Sequence, residues 1–223
     1  MNDIKNISKT YLFKLSIPIF FANIAVPFVG LVDTALMGHM NSEKFLAATS
    51  IAASVITMIF WSFGFLRMGT VSIVAQSLGK NDWNEIILTF TRNLIIAFFI
   101  GIFLILLKNP ILLSIEYFFK TSQDTQLLIN RYISIRLLSA PAELMLYVIS
   151  GLYLGLQKTK IASLAISLFC IGNITLSSIF VIHFNLGIIG VAAGTTLSAY
   201  FTVIIFLLVS FFLFKNKFYS TLT

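Results

Sequence analysis

Six times along this chain an apolar run recurs that is long enough to cross a bilayer, at residues 12–37, 51–78, 86–107, 127–150, 161–182 and 188–214. A helix needs about 20 mostly apolar residues to span the hydrocarbon, and each run reaches that length between polar or Gly-rich boundaries. With 58% hydrophobic and 10% charged residues among 223, the chain could not cover its own surface in water. The pattern predicts an all-α membrane protein, one six-helix transmembrane domain over residues 1–223, with the lipid bilayer as its first partner. A cytosolic enzyme, a nucleic-acid-binding module and a disordered linker are excluded. The net charge of +7 does not alter this, because the basic residues are scattered singly and form no stripe for nucleic acid.

Those scattered charges instead set a direction. Lys5, Lys9, Lys14, Lys80, Arg92, Lys158, Lys160, Lys215 and Lys217 fall on one side of a six-span chain, against Lys44, Lys108 and Lys120 on the other. Positive residues accumulate in cytoplasmic loops, so both termini are expected inside, in a multi-pass inner (plasma) membrane protein. The first run has no small-x-small cleavage site and continues into Asp33 and Gly38-His39, which reads as a retained helix rather than a signal peptide. The second run is irregular around Gly64, Arg67 and Gly69, and its length allows it to tilt or bend. The longest connection, 108–126, contains an amphipathic piece at 111–119 that suits the outer interface.

Charged side chains inside hydrocarbon cost at least about 2.5 kcal/mol each on insertion scales, so the few that occur are candidates for function. Asp33 is the leading one. It flanks a stripe of small and polar residues, Asn23, Pro27, Gly30 and Thr34, expected to face the bundle interior and line a pocket. Burial penalises a charged carboxylate, which makes Asp33 a candidate proton carrier or a counter-charge for a cation. Pro18 and Pro27 permit the helix to bend. On later spans Asn173, Ser177 and Thr195 could line a polar pocket with Asp33, or could serve helix packing together with Gly190-x-x-x-Gly194. Arg67, Arg136 and Glu143 read as structural buried charges, with Arg136 and Glu143 two turns apart on one face. His39 and His183 stand at span ends, where solvation or capping accounts for them.

Enzyme chemistry finds no motif. The sequence has no G-x-S-x-G nucleophile turn, no H-E-x-x-H and no phosphate-cradling G-x-x-x-x-G-K-[ST] loop. The single cysteine, Cys170, lies within an apolar run and offers neither a disulfide nor a Cys/His metal site.

Six motifs in order along the chain resemble the multidrug and toxic compound extrusion (MATE) transporters, and within them the DinF-like branch. They are Pro27-Phe28-Val29-Gly30-Leu31-Val32-Asp33-Thr34-Ala35 with Gly38-His39; Phe65-Leu66-Arg67-Met68 leading to Ala75-Gln76-Ser77-Leu78-Gly79; and Ile135-Arg136-Leu137-Leu138-Ser139-Ala140-Pro141-Ala142. Gly151-x-x-x-Gly155-Leu156-Gln157, Gly172-Asn173-Ile174 and Gly187-x-x-Gly190-Val191-Ala192 complete the series.

The resemblance implies a cation-coupled antiporter that exports organic cations, drugs or amphiphiles by alternating access, with no organic cofactor. It maps an essential acid onto Asp33 and polar partners onto Asn173 and Thr195. Where the family usually carries a second acid, this chain has Ser177. That difference favours protons as the coupling ion, with sodium at Asp33, Asn173 and Thr195 as the alternative. The resemblance covers the N-terminal six-helix lobe of a two-lobed architecture, so a second lobe is the expected partner, from a separate chain, a missing C-terminal half or a second copy. A non-transporting membrane remnant or assembly partner, and a flippase-like exporter of lipid-linked or peptidic cargo, are the competing readings.

Overall fold

The computed structural model describes residues 9–40 and 43–222. Nine α-helices are found among the described residues, with no strand: α1 Lys9–Gly38, α2 Glu43–Trp61, α3 Phe65–Gly79, α4 Trp83–Leu106, α5 Lys108–Phe118, α6 Gln123–Arg136, α7 Ala140–Gly155, α8 Thr159–Ser178 and α9 Gly187–Leu222. Grouped by length and apolarity they give six stretches able to cross a membrane, Ser16–Gly38, Glu43–Gly79, Trp83–Leu106, Gln123–Gly155, Thr159–His183 and Gly187–Lys215. Each overlaps one of the six apolar runs. The second and fourth start earlier than the runs do, because the polar first turns of α2 and α6 are helical too.

Two spans are interrupted. Between α2 and α3 the chain turns through Ser62-Phe63-Gly64, where the amides of Leu66 and Arg67 bond back to the carbonyls of Phe63 and Gly64. Between α6 and α7 the helix tightens into a 3-10 turn at Leu137–Ser139, then restarts at Ala140 with Pro141 in its first turn. Proline lacks the N–H that a continuous helix would need there, but it suits a helix start. Pro18 and Pro27, by contrast, lie within α1, which runs through both as one 30-residue helix.

Polar starts fix the ends. The Asp82 carboxylate accepts from the Glu85 amide 3.0 Å away at the head of α4, and the Ser122 hydroxyl accepts from the Thr125 amide at the head of α6. The connection expected to be amphipathic is α5, which packs against α4 and α6 and buries Ile115.

The α6–α7 span forms the centre of the bundle, with Ile133, Leu137, Leu144, Val148 and Tyr153 fully buried. Around it stand α2, α3, α4, α8 and α9, while α1 packs chiefly on α8. Close approach depends on missing side chains. A Cβ on Gly101 of α4 would sit 2.3 Å from Pro141 Cα, so α4 can meet the restart of α7 only through a glycine.

Candidate functional site

Residues flanking both helix interruptions, Trp61 and Arg67 at one and Arg136 and Glu143 at the other, line one cavity of about 340 Å³, bounded by α1, α2, α3, α6, α7, α8 and α9. Its wall is mainly apolar and aromatic, including Phe60, Trp61 and Phe169. Four ionisable side chains, Asp33, Arg67, Arg136 and Glu143, break that apolar surface. Asn173 and Thr195, with the tyrosines Tyr132 and Tyr147, supply neutral polar groups.

Asp33 comes from α1, about three turns of helix beyond the Ala22 position where α1 is buried. Its Oδ1 is the one buried side-chain oxygen or nitrogen among the described residues that has no hydrogen-bond partner. An unsatisfied acceptor in a low-dielectric wall is costly unless something else binds it. The guanidinium of Arg136 lies within electrostatic reach.

Arg136 ends α6 and Glu143 lies in the first turn of α7, so the 3-10 turn between them brings their side chains together. Arg136 Nη1 donates to Glu143 Oε1. The Ser139 hydroxyl accepts from the same Nη1 and lies 2.8 Å from Glu143 Oε1 and 2.6 Å from the Arg136 carbonyl, within donating reach of both. Arg136 also stacks over the Phe60 ring at 5.6 Å. This pair matches the structural ion pair expected from the spacing, yet it forms part of the cavity wall. Arg67 departs from that expectation. It faces the same cavity near Tyr147, and among the described residues no ion pair or side-chain hydrogen bond engages it.

The other polar set is closed. Asn173 Nδ2 donates to Thr195 Oγ1 at 2.7 Å, Thr195 Oγ1 donates to the Val191 carbonyl at 3.0 Å, and Ser177 Oγ lies 3.4 Å from both Asn173 Oδ1 and the Val191 carbonyl. Gly194 makes this contact possible, since a Cβ there would meet the Ser177 amide nitrogen at 2.5 Å. Asn173 and Thr195 thus show one edge to the cavity, whereas Ser177 is fully buried in the α8–α9 seam and does not line it.

The stripe on α1 is turned differently from the expectation. Gly30 reaches the cavity, but Pro27 and Thr34 are exposed, and the Thr34 hydroxyl is spent on the Gly30 carbonyl at 2.7 Å. The Asn23 side chain lies outside the described residues. The face that meets the cavity is Val26, Val29 and Asp33, about a quarter turn from the stripe. Helix α1 packs chiefly on α8 and buries Ala22 and Met37, while Pro27 and Thr34 stay exposed. His39 bonds to the Ala35 carbonyl at the end of α1 and His183 ends the π-turn after α8, both exposed.

Sequence reasoning did not single out Tyr132, Tyr147, Trp61 or Cys170 as cavity residues. Tyr132 had a signal, four residues before Arg136 on one helix face; the others did not, since aromatic and thiol side chains are ordinary in apolar helices.

For a sodium ion the available donors are few. Of the three, only Asp33 brings a carboxylate, with its Oδ1 unbonded, while Asn173 Oδ1 and Thr195 Oγ1 each already make a hydrogen bond within the seam.

The family model described as MatE matches residues 18–181. The chain is 32% identical over 197 residues to DNA damage-inducible protein F of Escherichia coli, covering 88% of this chain and 43% of that protein. It is 19% identical over 183 residues to the multidrug export protein MepA of Staphylococcus aureus, covering 82% of this chain and 41% of that one. The fold superposes on the outward-facing conformation of a multidrug resistance MATE family transporter of the MOP superfamily, with a TM-score of 0.81 at 24% identity, over 91% of this chain and 44% of the other. The chain therefore spans less than half the length of these relatives.

Proposed function

The chain belongs to the MatE family, and on that premise we propose that this multi-pass membrane protein acts as one lobe of a cation-coupled antiporter. It exports organic cations, drugs or amphiphiles by alternating access, with the proton as coupling ion. The observation that carries this reading is the partnerless Oδ1 of Asp33 at a mostly apolar cavity large enough for a small molecule. A single carboxylate can hold either a proton or a cationic cargo. Protonation removes the counter-charge and releases the cargo, and loss of the proton to the opposite compartment restores it. Asn173 and Thr195 hold the polar edge of the wall beside Asp33, and the Arg136–Glu143 pair sets its electrostatic surroundings. The helix breaks support a moving role, because discontinuous helices bring charged groups to mid-membrane sites in transporters. A second six-helix unit completes the cycle, and the surplus of basic residues in one set of loops supports an inner (plasma) membrane orientation with both termini inside.

The test is efflux of a fluorescent organic cation, with proton counterflow, in membrane vesicles from cells making the protein. Asp33→Asn should abolish both while the protein still inserts. Efflux that survives the substitution with unchanged dependence on external pH would sink the coupling role.

A further inference from the structure

Arg67 is a charge that proton exchange at Asp33 does not use. It stands in the first turn of α3, immediately after the Ser62-Phe63-Gly64 turn. Counting back from Gly79 at about 1.5 Å per residue puts it about 18 Å from the far end of α3, deep in the bilayer rather than at a headgroup. A guanidinium at that depth calls for an anionic partner.

Among the described residues none is paired with it. Glu143 is committed to Arg136 and Ser139, and Asp33 has Arg136 within reach. The backbone beneath Arg67 is firmly placed. A Cβ on Gly151 of α7 would come within 2.9 Å of the Arg67 carbonyl, and one turn on, Thr70 bonds the Leu66 carbonyl at 2.6 Å and accepts from Asn93 Nδ2 of α4 at 2.8 Å. Helix α3 is therefore clamped between α4 and α7, and it presents Arg67 to the cavity from a fixed base.

We propose that Arg67 is the anion-binding end of the cargo site, so that the cavity takes amphiphiles carrying an anionic group for Arg67 together with a cationic group for Asp33. This rests on the reading that the cavity holds cargo. A guanidinium offers two parallel donors to phosphate, sulfate or carboxylate oxygens, and Trp61, Tyr147 and Phe169 provide the apolar surface for a chain or ring between the two charges.

The experiment is calorimetric titration of the whole chain in lipid nanodiscs with three probes sharing one short tail: hexyltrimethylammonium, hexylphosphocholine and hexyl sulfate. Hexylphosphocholine should bind more tightly than hexyltrimethylammonium. Arg67→Gln should weaken hexylphosphocholine about tenfold and leave hexyltrimethylammonium within about twofold, as expected for loss of one charge-assisted contact. Arg67→Lys should keep most of the preference. A wild-type protein that binds the zwitterion no more tightly than the cation overturns the proposal, as does Arg67→Gln weakening both probes alike. Should Arg67→Gln fail to fold, the wild-type order and the Arg67→Lys titration decide. Binding is read without a gradient or transport, so the two readings fail separately. An Arg67-dependent preference without efflux would sink export alone, and Asp33-dependent efflux without the preference would sink this proposal alone.

Discussion

The cavity wall and the α8–α9 seam both set polar side chains into apolar helices, and they treat them in opposite ways. In the seam every named polar atom is consumed: Asn173 on Thr195, Thr195 on the Val191 carbonyl, and Ser177 against both Asn173 and Val191, with Gly194 drawing the helices together. In the wall the bonding stops short. Among the described residues Asp33 keeps a bare oxygen, Arg67 pairs with no acid, and only Arg136 and Glu143 satisfy each other. A bilayer offers no water to complete a polar group, so a closed set holds helices together and an open set awaits a ligand.

The largest effect should come where the wall is closed. Glu143→Leu strands the Arg136 guanidinium among buried groups and should cost about 3–5 kcal/mol, measured by reversible unfolding in mixed micelles. Adding Arg136→Met should recover most of that loss. If the double variant were no more stable than the single one, packing rather than charge would be holding the α6–α7 turn.

Next comes the seam. Gly194→Val forces carbon into the Ser177 backbone and should destabilise by about 1–3 kcal/mol, with α8 and α9 pushed apart. Smaller is Ser177→Ala, which gives up two long contacts for about 0.6 kcal/mol, typical of hydrogen bonds between membrane helices, and should leave efflux unchanged. A large loss of efflux there would move Ser177 from the seam into the working site.

Smallest in stability is Asp33→Asn, since no protein hydrogen bond to Oδ1 is lost. Its unfolding midpoint should coincide with wild type even though proton coupling disappears. Cys170, buried on the cavity wall and the chain's one thiol, offers a further readout. Its alkylation by a small maleimide should be slow, and slower still when the cavity is filled. Rates indifferent to a cavity ligand would mean that the reagent arrives from another side.

Much of this was legible in the residues. Apolar runs bounded by polar turns are a one-dimensional signal, and each of the six overlaps a helical stretch long and apolar enough to cross a membrane. Asp33 was legible because an acid in hydrocarbon needs a reason. The Arg136–Glu143 pair was legible from spacing, although Pro141 breaks the helix that would have carried it. What misled was the α1 stripe. In water the polar side of a helix faces solvent and its partner face can be inferred, but in lipid both packed and exposed faces are apolar, so small residues at Pro27, Gly30 and Thr34 do not reveal which way the helix turns.

Composition and order alone determined that the chain lives in a membrane, how many times it can cross and which few charges lie within the apolar runs, because hydrophobicity and helix length are properties of consecutive residues. Which charges share a cavity was decided only in three dimensions. Arg67 and Glu143 stand on different spans from each other and from Asp33, and nothing along the chain says that one cavity collects them. Those outcomes depend on where helices break and how closely glycine lets them approach, and both are settled by packing between segments far apart in the sequence.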